Sequence, residues 1–268
     1  MGSATTQAQN ATNAELAGAK GLDLAVASQL FHAARVVGSS SHLSGALADP
    51  SASPQSRRKV VEDVFGASFG PASVALLSFA VEQRWSSAAD LVAGIEELAI
   101  RVVAISTKTG AEADSDIEGE LFSFSRMVAQ NPELELALGS RLGDATSKGA
   151  LVDTLLASRV SAGTALIVSS IVQQPGERRI RESLSRTMRI VSDELNRTVA
   201  TVTTASPLTD AQATHLVRLL SAKYGRDVSL NTVVDASVVG GLRVQIADDV
   251  IDASIAARLA DLRQRLAG

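Results

Sequence analysis

An internal repeat constrains this chain more than any other feature. A shift of 91 positions, without a gap, superposes Leu30 on Leu121, Phe31 on Phe122, Arg35 on Arg126, Val37 on Val128, Leu43 on Leu134, Ala46 on Ala137 and Leu47 on Leu138. The match continues with Ser56 on Ser147, Val61 on Val152, Ser78 on Ser169, Val81 on Val172 and Gln83 on Gln174. Conservative pairs at the same shift include Arg57 with Lys148, Glu62 with Asp153, Phe65 with Leu156 and Leu76 with Ile167. Past Pro175-Gly176 a shift of 93 works better, pairing Leu91 with Leu184, Ile95 with Met188, Leu98 with Val191 and Val102 with Leu195. Two residues inserted in a loop change no core spacing, so both copies can keep one helical bundle.

The spacing of apolar residues predicts helices over 24–37, 41–48, 54–65, 71–83 and 87–105 in the first copy, and over 116–130, 132–139, 146–157, 162–173 and 178–196 in the second. Pro54, Pro71 and Pro132 suit first helical turns, where a missing amide hydrogen is no loss. The linker 108–115 is too short for another helix plus two turns. The second copy therefore has no room for a leading helix of its own, and the helix ending near Ile105 should lie against both bundles.

After Asn196 the period changes from helical to alternating. Residues 198–204 read as a strand rich in β-branched side chains. Thr209 with Gln212 forms a capping box; Ala213, Leu216, Leu220 and Tyr224 make one helix face, and Gly225 stops the helix. Val228, Leu230, Thr232 and Val234 give the next strand, and Leu242, Val244 and Ile246 alternate with Arg243 and Gln245 in another. Asp248-Asp249 fits a two-residue turn into a return strand at Val250 and Ile251. Asp252 or Ser254 caps a closing helix whose stripe is Ile255, Leu259, Leu262 and Leu266. The fold class is mostly α with a small α+β C-terminal domain: a first helical bundle at 1–107, a second at 108–197, and a β-α-β-β-β-α domain at 198–268.

Composition narrows the functions open to such a chain. With 46% hydrophobic but only 3% aromatic residues, the cores are filled by Ala, Val, Leu and Ile, which favours close helix packing. A net charge of −4 supplies no basic field of the kind nucleic acid needs. The absence of cysteine excludes disulfides, thiolate zinc sites and a Cys nucleophile. No apolar run approaches the roughly 20 residues of a membrane span, and the start, Met1-Gly2-Ser3-Ala4-Thr5-Thr6, does not read as a secretory signal. Membrane association is expected only through partners.

The run Thr203-Thr204-Ala205-Ser206-Pro207-Leu208-Thr209, then Tyr224-Gly225-Arg226, Val234-Asp235, and the stretch Gly240-Gly241 through Asp248, Val250, Ile251, Asp252 and Ser254 to Arg258-Leu259, together resemble the delta subunit of rotary proton-translocating ATP synthases, the oligomycin-sensitivity-conferring protein family. The second copy followed by the C-terminal domain is similar in length and order to a complete ordinary delta subunit. The surplus first copy resembles the duplicated bundle of actinobacterial members. The resemblance implies a non-catalytic stator subunit at the cytoplasmic face of the cell membrane, with no cofactor. It implies that the helical bundle binds N-terminal helices of the alpha subunits at the top of the catalytic head, and that the C-terminal domain binds the C-terminal end of the b subunit. The residues implied for that segment are Gly240, Gly241, Asp248, Val250, Ile251, Asp252, Ser254, Arg258 and Leu259. The alternative is a helical-repeat adaptor with unrelated partners, which treats the tail signature as accidental.

Other constellations carry less. Asp248, Asp249 and Asp252 offer oxygen ligands for a divalent cation, but the loop is too short to wrap an ion, and a turn followed by a helix N-terminus accounts for them. His32, His42 and His215 share no metal-like spacing. The segment from Gly139 to Lys148 has glycines and a lysine but not the order of a phosphate loop. Arg178, Arg179, Arg181, Arg186 and Arg189 read either as a docking face or as a solvated face balanced by Glu177, Glu182, Asp193 and Glu194. Trp85 reads as an interface anchor or as packing between helices. No nucleophile, base and orienting group stand together.

Overall fold

The computed structural model describes residues 2–107, 115–140, 144–156, 159–174, 180–225, 227–235, 238, 240–246 and 249–252. The chain divides into two compact units, Met1–Val191 and Ser192–Gly268. The first unit holds α1 (Ser3–Gly18), α2 (Leu24–Ser39), α3 (Ser41–Ala48), α4 (Pro54–Phe65), α5 (Pro71–Glu82), α6 (Ala88–Ser106), α7 (Ile117–Gln130), α8 (Pro132–Gly139), α9 (Ala145–Leu156), α10 (Ala162–Gln173) and most of α11 (Ile180–Glu194). Short polar residues start these helices: Asp23, Ser40, Ser53, Ser87, Asp116 and Ser161 each accept a hydrogen bond from the amide three positions on. Pro54, Pro71 and Pro132 stand in first turns, as expected.

The repeat is physical. Helices α8, α9 and α10 begin and end 91 positions after α3, α4 and α5. Leu30 and Leu121, Val37 and Val128, Leu47 and Leu138, Val61 and Val152, Phe65 and Leu156, Leu76 and Ile167, and Val81 and Val172 are buried in both copies. Polar ties repeat as well. Gln29 Oε1 accepts the Gly70 amide at 2.9 Å, and 91 positions later both oxygens of Glu120 accept the Ser161 amide at 3.0 Å. Ser53 caps Ser56 at 3.1 Å as Asp144 caps Ser147 at 2.7 Å. The buried Arg57 donates to the carbonyls of Gln83 at 2.8 Å and Glu82 at 3.0 Å, closing the end of α5. Its counterpart Lys148, also buried, donates to the Ser140 carbonyl at the end of α8.

Helix α1 lies outside the sequence expectations. Its sequence is polar, yet Thr5, Ala8, Thr12 and Leu16 are buried at spacings of three, four and four. Thr5 Oγ1 donates to Asp90 at 3.0 Å, and Thr12 Oγ1 to the Ala8 carbonyl at 2.8 Å, so both hydroxyls are satisfied inside the unit. Helix α1 packs on α5 and α6. Shifted by 91 it falls on α6, and α6 packs on α10, the counterpart of α5, as well as on α1, α2, α3 and α5. One helix thus closes the first bundle and opens the second, as the short linker predicts.

The second unit contains β1 (Arg197–Thr204), α12 (Asp210–Tyr224), β2 (Asp227–Val234), β3 (Leu242–Ile246) and β4 (Asp249–Asp252) in a sheet of order β2-β1-β3-β4. Strands β1 and β2 run parallel through the α12 crossover; β3 is antiparallel to both β1 and β4. Thr209 and Gln212 form the expected capping box, and Gly225 takes φ 66° in the left-handed region at the helix end. The core is Ala200, Val202, Leu220, Val228, Val244 and Ile246, with Leu216, Tyr224, Leu230 and Ile251 packed against it.

Two expectations are corrected here. Asp249 pairs with Ile246 inside β4, so it belongs to the return strand and not to the expected Asp248-Asp249 turn, while Asp248 lies outside the described residues. In β2 the alternation fails: Val228 and Asn231 are buried while Thr232 and Val234 are exposed. β2 is an edge strand with one neighbour, which leaves its far end uncovered. The expected closing helix, with Ile255, Leu259, Leu262 and Leu266, lies outside the described residues.

Candidate partner-binding surfaces

The signature segment begins with two backbone turns that only glycine makes cheaply. Gly240 and Gly241 have φ of 69° and 80°, and a Cβ at either would strain the chain as it enters β3. Strand β3 then alternates as expected, with Val244 and Ile246 buried and Arg243 and Gln245 exposed. Ile251 pairs with Val244 and packs on the core, whereas Val250 is 48% exposed. Asp252 ends β4 opposite Arg243. The hydroxyl of Tyr224 donates to Asp249 Oδ2 at 3.3 Å, tying the end of α12 to the start of β4. Asp248, Ser254, Arg258 and Leu259 lie outside the described residues. The unit also leaves Leu219 on α12 and Val234 at the end of β2 about half exposed. These exposed apolar side chains stand on three different elements, β4, α12 and β2.

Within the helical unit the candidate residues resolve into packing. Trp85 is buried, its indole donates to the Ala80 carbonyl at 2.8 Å, and its ring lies on Gly94, where an added Cβ would come 2.1 Å from the ring. This is the packing reading. Lys148 donates to the Ser140 carbonyl, so its ammonium is engaged within the bundle, and residues 141–143 lie outside the described residues. His32 packs edge-on against Phe69; in the second unit, His215 contacts Arg218 along α12. Among the described residues no group of three His, Cys, Asp or Glu side chains is placed to hold a metal ion.

The arginine-rich helix divides in a way neither reading anticipates. Arg178 and Arg179 lie outside the described residues. Arg181 faces solvent, 3.8 Å from Glu135. Arg186 turns inward: its Nη2 donates to Glu97 Oε2 at 2.8 Å. Glu97 also accepts from Arg101 at 3.0 Å, and all three side chains are nearly covered. Two charges 89 positions apart leave no periodic trace in sequence. The repeated tie of Gln29 and Glu120 was detectable, since the two stand 91 apart and precede Gly70 and Ser161 by the same interval.

The sequence profile of the family described as ATP synthase delta (OSCP) subunit matches residues 102–266. That range starts within α6 and takes in the second copy and the C-terminal unit. A protein named ATP synthase subunit delta from Leifsonia xyli subsp. xyli is 45% identical over 269 residues, covering 100% of both chains. One from Streptomyces avermitilis is 38% identical over 82% of this chain and 81% of its own, and one from Thermobifida fusca 34% identical over 90% and 89%. The alignment with the Leifsonia protein includes the first copy, which the profile leaves out.

Proposed function

This chain belongs to the ATP synthase delta (OSCP) subunit family, and from that premise we propose how its parts divide the work of the stator. It is a non-catalytic subunit of the peripheral stalk, part of a membrane-associated complex, and no helix among its described residues is long and apolar enough to cross a membrane. The bundles at 1–107 and 108–197 take the N-terminal helices of the alpha subunits at the top of the catalytic head. The domain at 198–268 takes the C-terminal end of the b subunit, through the segment containing Gly240, Gly241, Asp248, Val250, Ile251, Asp252, Ser254, Arg258 and Leu259. The complex sits at the cytoplasmic face of the cell membrane. Held at both ends, the chain opposes the sideways push of the turning rotor, sharing the load among several modest helix contacts.

The observation that carries this reading is the extent of the profile match: it joins the second copy, opened by α6, to the C-terminal unit in the order of an ordinary family member. Family membership also disposes of the unrelated-adaptor alternative. The test removes residues 240–268 from the full chain. The truncated protein should lose capture of the b subunit end and keep its helical content, because each unit has its own core. Retained capture of b together with loss of the catalytic head reverses the assignment of the two ends.

A further inference from the structure

The junction between the two copies is built differently from the copies themselves. Several polar ties inside each bundle come in pairs 91 positions apart: Gln29 on the Gly70 amide with Glu120 on the Ser161 amide, and Ser53 on Ser56 with Asp144 on Ser147. The Glu97 cluster does not repeat. At the shift of 93 that relates α6 to α11, Ile190 stands where Glu97 would, and Ala93 where Arg186 would. The cluster joins α6, the helix that both bundles share, to α11, the last helix of the second copy. Glu97 accepts from Arg101 Nε at 3.3 Å and Nη2 at 3.0 Å, and from Arg186 Nη2 at 2.8 Å, while Arg186 also reaches the Ala93 carbonyl at 3.5 Å.

A buried ion cluster is a poor source of stability, since desolvation offsets its attraction, but it is intolerant of displacement because any slip leaves a charge uncompensated. A second set of polar contacts spans the same junction. Arg35 on α2 donates to Gln173 at the end of α10, and Gln174 Nε2 donates to the Ala34 carbonyl at 3.4 Å. Gly38 gives Gln174 room: a Cβ there would lie 2.7 Å from Nε2.

We propose that the Glu97–Arg101–Arg186 cluster is a clamp that fixes the orientation of the first bundle on the second, so that the added bundle is a rigid extension of the subunit. The clamp is a property of the free chain; its use in resisting torque rests on the stator reading above. The test is a distance measurement on the full-length chain by double electron–electron resonance. Because the sequence has no cysteine, spin labels at Lys59→Cys on α4 and Thr154→Cys on α9 are unique. The parent should give one narrow distribution, and Glu97→Gln and Arg186→Met should each broaden it at least twofold with far-UV circular dichroism unchanged. If Glu97→Gln unfolds the chain, Arg186→Lys, which keeps the charge and loses the planar fork, is measured in its place and should also broaden the distribution. A broad distribution in the parent, or an unchanged width in the folded variants, overturns the clamp whatever the chain binds.

Discussion

Replacing Glu120 with alanine should cost the helical unit two to four times what the same change costs at Gln29, its counterpart in the first copy. Glu120 accepts the Ser161 amide with both oxygens at 3.0 Å, the Ser161 hydroxyl at 2.6 Å, and the hydroxyl of Thr164. Gln29 accepts one bond, from the Gly70 amide at 2.9 Å. Bonds to a charged group contribute about 1.5–3 kcal/mol each, though not additively, and neutral ones about 0.5–1.5 kcal/mol. A carboxylate at the start of α10 adds about 0.3–1 kcal/mol from the helix dipole. Ser161 still caps the Thr164 amide when Glu120 is gone, so α10 keeps its start. The expected losses are about 2–4 kcal/mol for Glu120→Ala and about 1 kcal/mol for Gln29→Ala, with Glu120→Gln between them. Urea unfolding followed by tryptophan fluorescence reads this unit alone, because Trp85 is the only tryptophan. Equal losses at the two positions, or a loss below about 0.5 kcal/mol at Glu120, would mean that the added bonds to Glu120 carry no stability, since that is the range of changes at sites with no structural role.

Three further outcomes follow from the geometry. Gly94→Ala gains about 1 kcal/mol of helix propensity but drives a methyl into the Trp85 ring, so a net loss of about 1–2 kcal/mol with a shifted Trp85 emission is expected; a stabilised variant contradicts it. The Ser147 amide and hydroxyl hold the Asp144 carboxyl below its ordinary value of 3.8. The stability it contributes is therefore present above that value and lost as pH falls through the lower folded value; an NMR titration giving Asp144 a midpoint above 3.8 overturns this. Leu259→Asp should abolish b subunit capture as the truncation does, because burying an unpaired carboxylate in the expected stripe costs several kcal/mol; capture at parental affinity removes Leu259 from the interface.

Much of the fold was legible because duplication prints the same burial pattern twice: Val61 and Val152, or Val81 and Val172, are core in both copies. Helix α1 escaped notice because it places threonine and alanine on its buried face, and because its counterpart at the 91 shift is α6, already counted as the end of the first bundle. The alternation in β2 misled because an edge strand need not bury a whole face, so Asn231 is covered and Val234 is not. The sequence offers Arg186 only a docking face or a solvated face because its partner, Glu97, is 89 positions away on α6. The signature residues are readable as a strand entry and a hairpin from Gly240, Gly241 and the Leu242–Ile246 alternation, apart from Asp249, which belongs to the return strand.

Crosslinking mass spectrometry of the native membrane complex reads whether one chain links the catalytic head to the stalk by opposite ends. Linkage by opposite ends predicts crosslinks from the bundles at 1–197 to the N-terminal segments of the alpha subunits, and from 198–268 to the C-terminal end of the b subunit. Crosslinks that join 198–268 to the alpha subunits and the bundles to the b terminus would contradict it.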